Sequence, residues 1–309
     1  MSRLPTETWL SMIVEVVNGK KPGPCIWLSA ALHGDELNGV EIIRRVLNRL
    51  KTEDLRGCVI AVPIVNVFGF IEQSRYLPDR RDLNRSFPGS HRGSLAGRIA
   101  HLFMTEIVTQ CDFGIDLHTG SNYRENLPQI RAKLDDPQTR KCAKAFGAPV
   151  MIHAAVRDGS LRHAASSRGI PVLLYEAGEP LRFERDSIEI GVRGILRVMR
   201  TLKMLRSAPK TRFTNPLAIQ ETTWIRARRG GILNLDVSLG QRVTKSQRLG
   251  IIADAFGDNS KILRASTDGI VIGVLNNPIV NQGDAVVHLG RLKPDERMDN
   301  PDGMESFAY

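Results

Sequence analysis

The sequence predicts a two-part α/β protein, a mainly parallel mixed sheet flanked by helices and followed by a small all-β barrel or hairpin-type domain. Three observations carry this expectation. Apolar runs alternate with stretches of helical periodicity as far as about residue 205, the pattern of strands covered on both faces. Beyond Thr211 the texture changes to short β-branched pieces punctuated by Gly230, Gly240, Gly250, Gly269 and Gly283. The 309 residues are also twice the ~150 expected of one domain. The expected division is residues 1–210, 211–292 and a loose tail at 293–309. A linker at 207–216 contains Pro209 and Pro216.

In order along the chain, Cys25 to Leu32 reads as a buried strand, followed by a polar loop beginning at His33. Val40, Ile43, Val46, Leu47 and Leu50 then recur at helical spacing. Cys58 to Val67 is a second apolar strand. Ser94 can cap a helix whose Leu95, Ile99, Leu102, Phe103 and Val108 face inward. Phe113 to Leu117 is a short strand ending at His118. Asp136 before Pro137 is a helix entry, because a carboxylate caps free amides and proline is tolerated in the first turn; Gly147 is the stop. A strand from Pro149 to His153, a helix from about Ser160 to Arg168, and a strand from Pro171 to Tyr175 running into Glu176 follow. Between Leu181 and Arg212 an amphipathic helix is expected, with Ile188, Val192, Ile195, Met199 and Leu202 inward. Its wet basic side would carry Arg193, Arg197, Arg200 and Lys203.

Hydrophobic residues at 42% and charged residues at 25% are globular values and exclude a disordered or collagenous chain. The net charge of +10, from 43 Lys and Arg against 33 Asp and Glu, suits an anionic ligand or a solvated surface. A nucleic-acid partner is not expected, because no finger, basic zipper or aromatic-studded sheet accompanies the charge. The longest charge-free stretches, Gly57 to Ile71 and Gly269 to Gly283, fall short of the ~18–20 residues of a membrane span and contain Pro63 and Pro278. Met1 to Leu10 lacks the features of a secretory signal, so the cytoplasm is the expected compartment. Cys25, Cys58, Cys111 and Cys142 stand far apart, show no metal knuckle or redox spacing, and read as reduced structural residues.

His33 and Glu36, three apart after a strand, and His118, at the end of another, offer two imidazoles and a carboxylate. That set suits a tetrahedral Zn²⁺ with one open position, where water is activated for hydrolysis. H-x-x-E alone arises often by chance, and His153 and His163 sit just as near a strand or helix. The company of motifs is what gives the pattern weight. His33-Gly-Asp-Glu-Leu-Asn-Gly39, Arg75-Tyr76, Asp82-Leu-Asn-Arg-Ser-Phe-Pro-Gly89, Asp116-Leu-His-Thr-Gly120 and Glu176-Ala-Gly178 follow one another along the α/β part.

In these motifs the sequence resembles the succinylglutamate desuccinylase and aspartoacylase family, relatives of the zinc carboxypeptidases. The resemblance covers about residues 20–200 and extends to the glycine-rich part at about 212–291. It implies a zinc carboxypeptidase-like catalytic domain holding one Zn²⁺ per subunit through His33, Glu36 and His118. It also implies Glu176 as general base and then acid, with Glu179 as rival. Arg75 resembles the arginine that polarises the scissile carbonyl, although a longer spacing to the Asp82 motif leaves Arg80 or Arg81 as alternatives. Asn84 and Arg85 resemble the pair that grips a substrate carboxylate, and Asp82 the acceptor behind the first zinc histidine. Asp116 shares a strand face with His118 but is not assigned a role.

The implied activity is hydrolysis of the amide bond of an N-acylated amino acid or a similar small, carboxylate-bearing amine. The alternatives are a metallocarboxypeptidase acting on peptide C-termini and a non-catalytic binding or carrier module. The carrier reading comes from Gly240-x-x-Val-x-Lys-x-x-x-Leu249 and Ala265-Ser-Thr-Asp-Gly269, which resemble biotinyl and lipoyl hairpin domains; no lysine, Lys261 included, stands in an attachment context. The expected partner is a small acidic substrate, with no membrane or nucleic acid, and a homo-oligomer remains open. A wall or lid beside the metal site is the expected role of the second part.

Overall fold

A computed structural model describes residues 2–3, 6–154, 158–210 and 215–292; the tail expected at 293–309 and the linker residues 211–214 lie outside the described residues. The first part runs β1 (Glu15–Asn18), β2 (Lys21–Ala30), α1 (Asn38–Leu47), β3 (Arg56–Val62), α2 (Val67–Ile71), α3 (Leu95–Glu106) and β4 (Phe113–His118). It continues with β5 (Arg124–Ala132), α4 (Pro137–Phe146), β6 (Val150–His153), α5 (Leu161–Ser166), β7 (Val172–Gly178) and α6 (Arg185–Thr201). The second part is all strand: β8 (Leu217–Ile219), β9 (Thr222–Arg226), β10 (Gly231–Leu235), β11 (Arg242–Val243) and β12 (Arg248–Ala253), then β13 (Lys261–Arg264), β14 (Gly269–Leu275), β15 (Ile279–Val280) and β16 (Ala285–Arg291). No described helix is long and apolar enough to cross a membrane.

Both parts share one 12-stranded sheet ordered β9-β16-β14-β5-β7-β4-β2-β3-β1, with β6 between β5 and β8, and β11 beside β14. The centre, β7-β4-β2-β3, is parallel. Alternation along β2 explains the two layers: Ile26, Leu28 and Ala30 face a core shared with α1, α4 and α6, while Trp27 faces one shared with α3 and α5. The remaining strands β13-β12-β10-β15 form a second sheet. Its Leu233, Ile252 and Leu263 pack on Val271 and Val286 of the first.

Several expected boundaries move for local reasons. The first strand stops at Ala30 rather than Leu32, because Ala31 takes a left-handed φ of 45°. The second ends at Val62, since Asn66 turns the chain into α2 by accepting the Gly69 amide at 2.9 Å. The helix expected between Leu181 and Arg212 is only α6, bracketed by positive φ at Leu181 and Lys203, so Lys203 lies outside it. Its basic side is not uniformly wet. The Arg197 guanidinium donates to the carbonyls of Ala145 and Phe146 at the end of α4, and burial beside Arg193 pushes its pKa down to about 10. In α4 the cap is as expected: Asp136 accepts from Thr139 N at 2.6 Å, and Gly147 closes the helix at φ 71°. Three of the cysteines, far apart in sequence, meet in the fold. Cys25 and Cys58 are register partners on β2 and β3, and Cys25 Sγ lies 3.5 Å from Cys111 Sγ.

Candidate active site

Three neighbouring parallel strands, β2, β4 and β7, deliver the site from their C-terminal ends, where open α/β sheets leave a crevice for ligands. His33 follows β2, His118 ends β4, and Glu176 lies on β7 as the register partner of His118. The loop carrying His33 is held tightly to α2. A Cβ on Gly34 would stand 1.9 Å from the Gly69 carbonyl carbon, so only glycine fits there. Gly178 ends the Glu176 turn with φ 77°, a second position that requires glycine's freedom.

The ligand atoms of His33, Glu36 and His118 all lie within 4.8 Å of one another, and the three residues are buried. Glu36 bridges the imidazoles, its Oε1 2.7 Å from His33 Nδ1 and its Oε2 2.8 Å from His118 Nδ1. The outer nitrogens are held by carboxylates as well: His33 Nε2 lies 3.3 Å from Asp82 Oδ1, and His118 Nε2 lies 2.8 Å from Asp116 Oδ2. Asp116 is buried and accepts from Ser29 Oγ at 2.7 Å. Such outer carboxylates set the imidazole tautomer and leave the inner nitrogen for a cation. Burial opposes charge on both rings. Glu36 and Asp82 together outweigh burial at His33, and Asp116 with Glu36 does so at His118, so both pKa values are raised. Burial likewise opposes ionisation of Glu36, but the two histidines prevail and hold it well below the usual carboxylate range. The Glu36 carboxylate with two inward imidazole nitrogens fits a divalent cation by donor type and spacing.

The Glu176 carboxylate lies beside this cluster on the wall of a cavity of about 550 Å³. Asn126 Nδ2 on β5 donates to Glu176 Oε2, and Arg131 Nε stands 3.7 Å from Oε1. The rival Glu179 lies outside this cavity, with Oε2 on Asn276 Nδ2 at 3.0 Å and near Arg182. Among the three candidate arginines, Arg75 lines the cavity. It donates to Asp82 Oδ2 at 2.8 Å and reaches Glu36 Oε1 at 3.5 Å; Arg80 and Arg81 are exposed. Burial works against its charge, but Glu36 and Asp82 raise its pKa. Asn84 and Arg85 also line the cavity, Asn84 Oδ1 accepting from Leu161 N at 3.0 Å.

Sequence reasoning missed much of the wall. Arg124, Arg131 and Arg162 come from the first part, and Trp224 and Arg226 from β9 of the second. Trp224 is stacked on buried His288 at 4.3 Å and lies under the Arg124 guanidinium at 5.4 Å. His153 and His163 stand elsewhere, near Asp135 and Asp158, and line no part of the cavity.

The chain is 29% identical over 301 residues to the N-alpha-acetyl-L-2,4-diaminobutyric acid deacetylase of Halomonas elongata, covering 92% of this chain and 87% of that protein. A succinylglutamate desuccinylase/aspartoacylase crystal structure from Rhodobacter sphaeroides superposes with a TM-score of 0.84 at 27% identity, covering 94% of this chain and 93% of that one. The product-bound ectoine utilization protein EutE (DoeB) from Ruegeria pomeroyi superposes with a TM-score of 0.82 at 25% identity, covering 90% and 88%. Residues 22–202, which hold the whole His33–Glu36–His118 cluster and Glu176, match the Succinylglutamate desuccinylase/Aspartoacylase catalytic domain, and the chain belongs to that family.

Proposed function

We propose that the protein is a zinc-dependent deacylase that hydrolyses the amide bond of an N-acylated amino acid or a similar small, carboxylate-bearing amine. The observation that carries this reading is the meeting of His33, Glu36, His118 and Glu176 at one arginine-lined cavity. His33, Glu36 and His118 would hold the ion. Zinc bound there supplies a water of pKa near ~7 and polarises the scissile carbonyl.

The rest of the chemistry belongs to the chain. Glu176 takes a proton from the attacking water and returns it to the departing amine, and Asn126 steers the carboxylate by holding one of its oxygens. Arg75, braced by Asp82 and Glu36, presents a fixed charged donor to the developing oxyanion. Asn84 and Arg85 take the substrate carboxylate, for which a guanidinium offers a two-pronged fork. Arg85, Arg124, Arg131, Arg162 and Arg226 outnumber the acidic lining residues Glu36 and Glu176, which supports an acidic substrate. The diaminobutyrate relative supports an N-acyl amino acid in particular.

A panel of N-acyl amino acids and short peptides, assayed before and after chelation, tests the reading. Turnover is expected on N-acyl amino acids, to be lost with a chelator and restored by Zn²⁺. Turnover of peptides alone, or activity indifferent to chelation, would overturn it. Asp116→Ala is expected to weaken zinc binding about 10–100-fold in a competition titration, as loss of an imidazole's outer partner does. Unchanged affinity would mean that Asp116 serves only the strand.

A further inference from the structure

The middle of β2, the start of β3 and the residue two before β4 bring together three sulfurs separated widely in the chain. Cys25 and Cys58 sit side by side on parallel strands, half-buried. Cys111 is buried beneath them, its Sγ 3.5 Å from that of Cys25. The cluster is at the end of the sheet opposite to the catalytic residues. β2 alone runs roughly 17 Å from Cys25 to Ala30, before the loop that carries His33. Nothing in the deacylase chemistry uses it.

We propose that Cys25 and Cys111 form a peroxide-reactive thiol pair, with Cys25 as the attacking sulfur and Cys111 as the resolving one. Position assigns the roles. Cys25 is the half-buried member within reach of a small oxidant, and Cys111 approaches it from within the protein. The local electrostatics agree. Hydrogen bonding from Cys111, and further from Cys58, outweighs burial and the nearby Asp112 carboxylate and lowers the Cys25 pKa to about 7. Burial and the neighbouring sulfur push Cys58 up to about 11, and contact with Cys25 together with burial raises Cys111 further. The thiolate is the nucleophile in such chemistry.

The Cys25 thiolate attacks one oxygen of hydrogen peroxide, the O–O bond breaks, and the departing hydroxide takes up a proton as water. Cys25 is left as a sulfenic acid. Cys111 then gives up its proton and attacks the Cys25 sulfur. The S–O bond breaks, hydroxide leaves with that proton as a second water, and a disulfide forms. Two thiols are oxidised by two electrons in all, and one peroxide is reduced to two waters. Cys142 is the internal control: it is buried in α4 outside the cluster, and burial raises its pKa to about 11.

The test is peptide mapping of the pre-reduced, purified protein after one equivalent of hydrogen peroxide and rapid alkylation in denaturant, which opens the buried thiols to the reagent. The expected result is loss of two free thiols, a Cys25–Cys111 cross-linked peptide, and Cys142 still alkylatable. In Cys111→Ser the reaction is expected to stop at Cys25, where dimedone traps the sulfenic acid, while Cys58→Ser still forms the cross-link. Four free thiols after peroxide, oxidation falling equally on Cys142, or a cross-link from Cys25 to Cys58 would each overturn the assignment. The wild-type map decides these outcomes even if a variant fails to fold.

Discussion

Glu176→Gln is expected to lower turnover by roughly two or more powers of ten while leaving the bound metal in place. The substitution keeps the shape of the side chain on β7 and still offers an oxygen to Asn126 Nδ2, so the wall of the cavity survives. It removes the group proposed to accept the proton from water and return it to the amine. Steady-state kinetics beside a metal determination check the outcome: kcat should fall far more than KM changes, with stoichiometric metal retained. Turnover near that of the parent would show that another group handles the proton.

His118→Ala is expected to abolish both metal binding and activity. Two inner donors remain, His33 and Glu36, and the carboxylate of Asp116 is left buried with only Ser29 of its two side-chain partners. A buried charge that loses a partner costs about 1–3 kcal/mol or more, so a lower Tm is expected as well. Metal content separates the two effects, because a folded variant that still retains stoichiometric metal would contradict the ligand assignment. His118→Gln, which keeps a polar group facing Asp116, is the comparison that limits loss of stability.

What the sequence disclosed depended on how local the signal was. Asp136, Pro137 and Gly147 define α4 because capping is decided within a few residues. His33 and Glu36 were visible for the same reason, both lying in one short loop. β5 was not visible: Arg124, Glu125 and Arg131 break an apolar pattern, and Pro128 argues against a strand within a sheet. The fold accommodates that proline where the β5–β7 register shifts between Asn126 and Gln129. With β5 went Asn126 and Arg131, the neighbours of Glu176. Arg75, Arg80 and Arg81 were indistinguishable by spacing, and the turn that brings Arg75 inward, with Asn66 Nδ2 on its carbonyl, emerges only in the fold. Asp116 lay on the correct face, but its grip on His118 Nε2 depends on a side-chain orientation that alternation does not specify.

The ladder between β14 and β5 pairs Gly273 with Asn126, Val274 with Glu125 and Leu275 with Arg124. The strand whose Asn126 holds the Glu176 carboxylate is thus paired along its first three residues by residues from far down the chain. Severing the polypeptide near residue 210 would not trim an ornament from a finished hydrolase. It would strip Arg124 to Asn126 of their amide partners on that side, open a raw border prone to self-association, and loosen the hold of Asn126 on Glu176 from outside its own half of the chain.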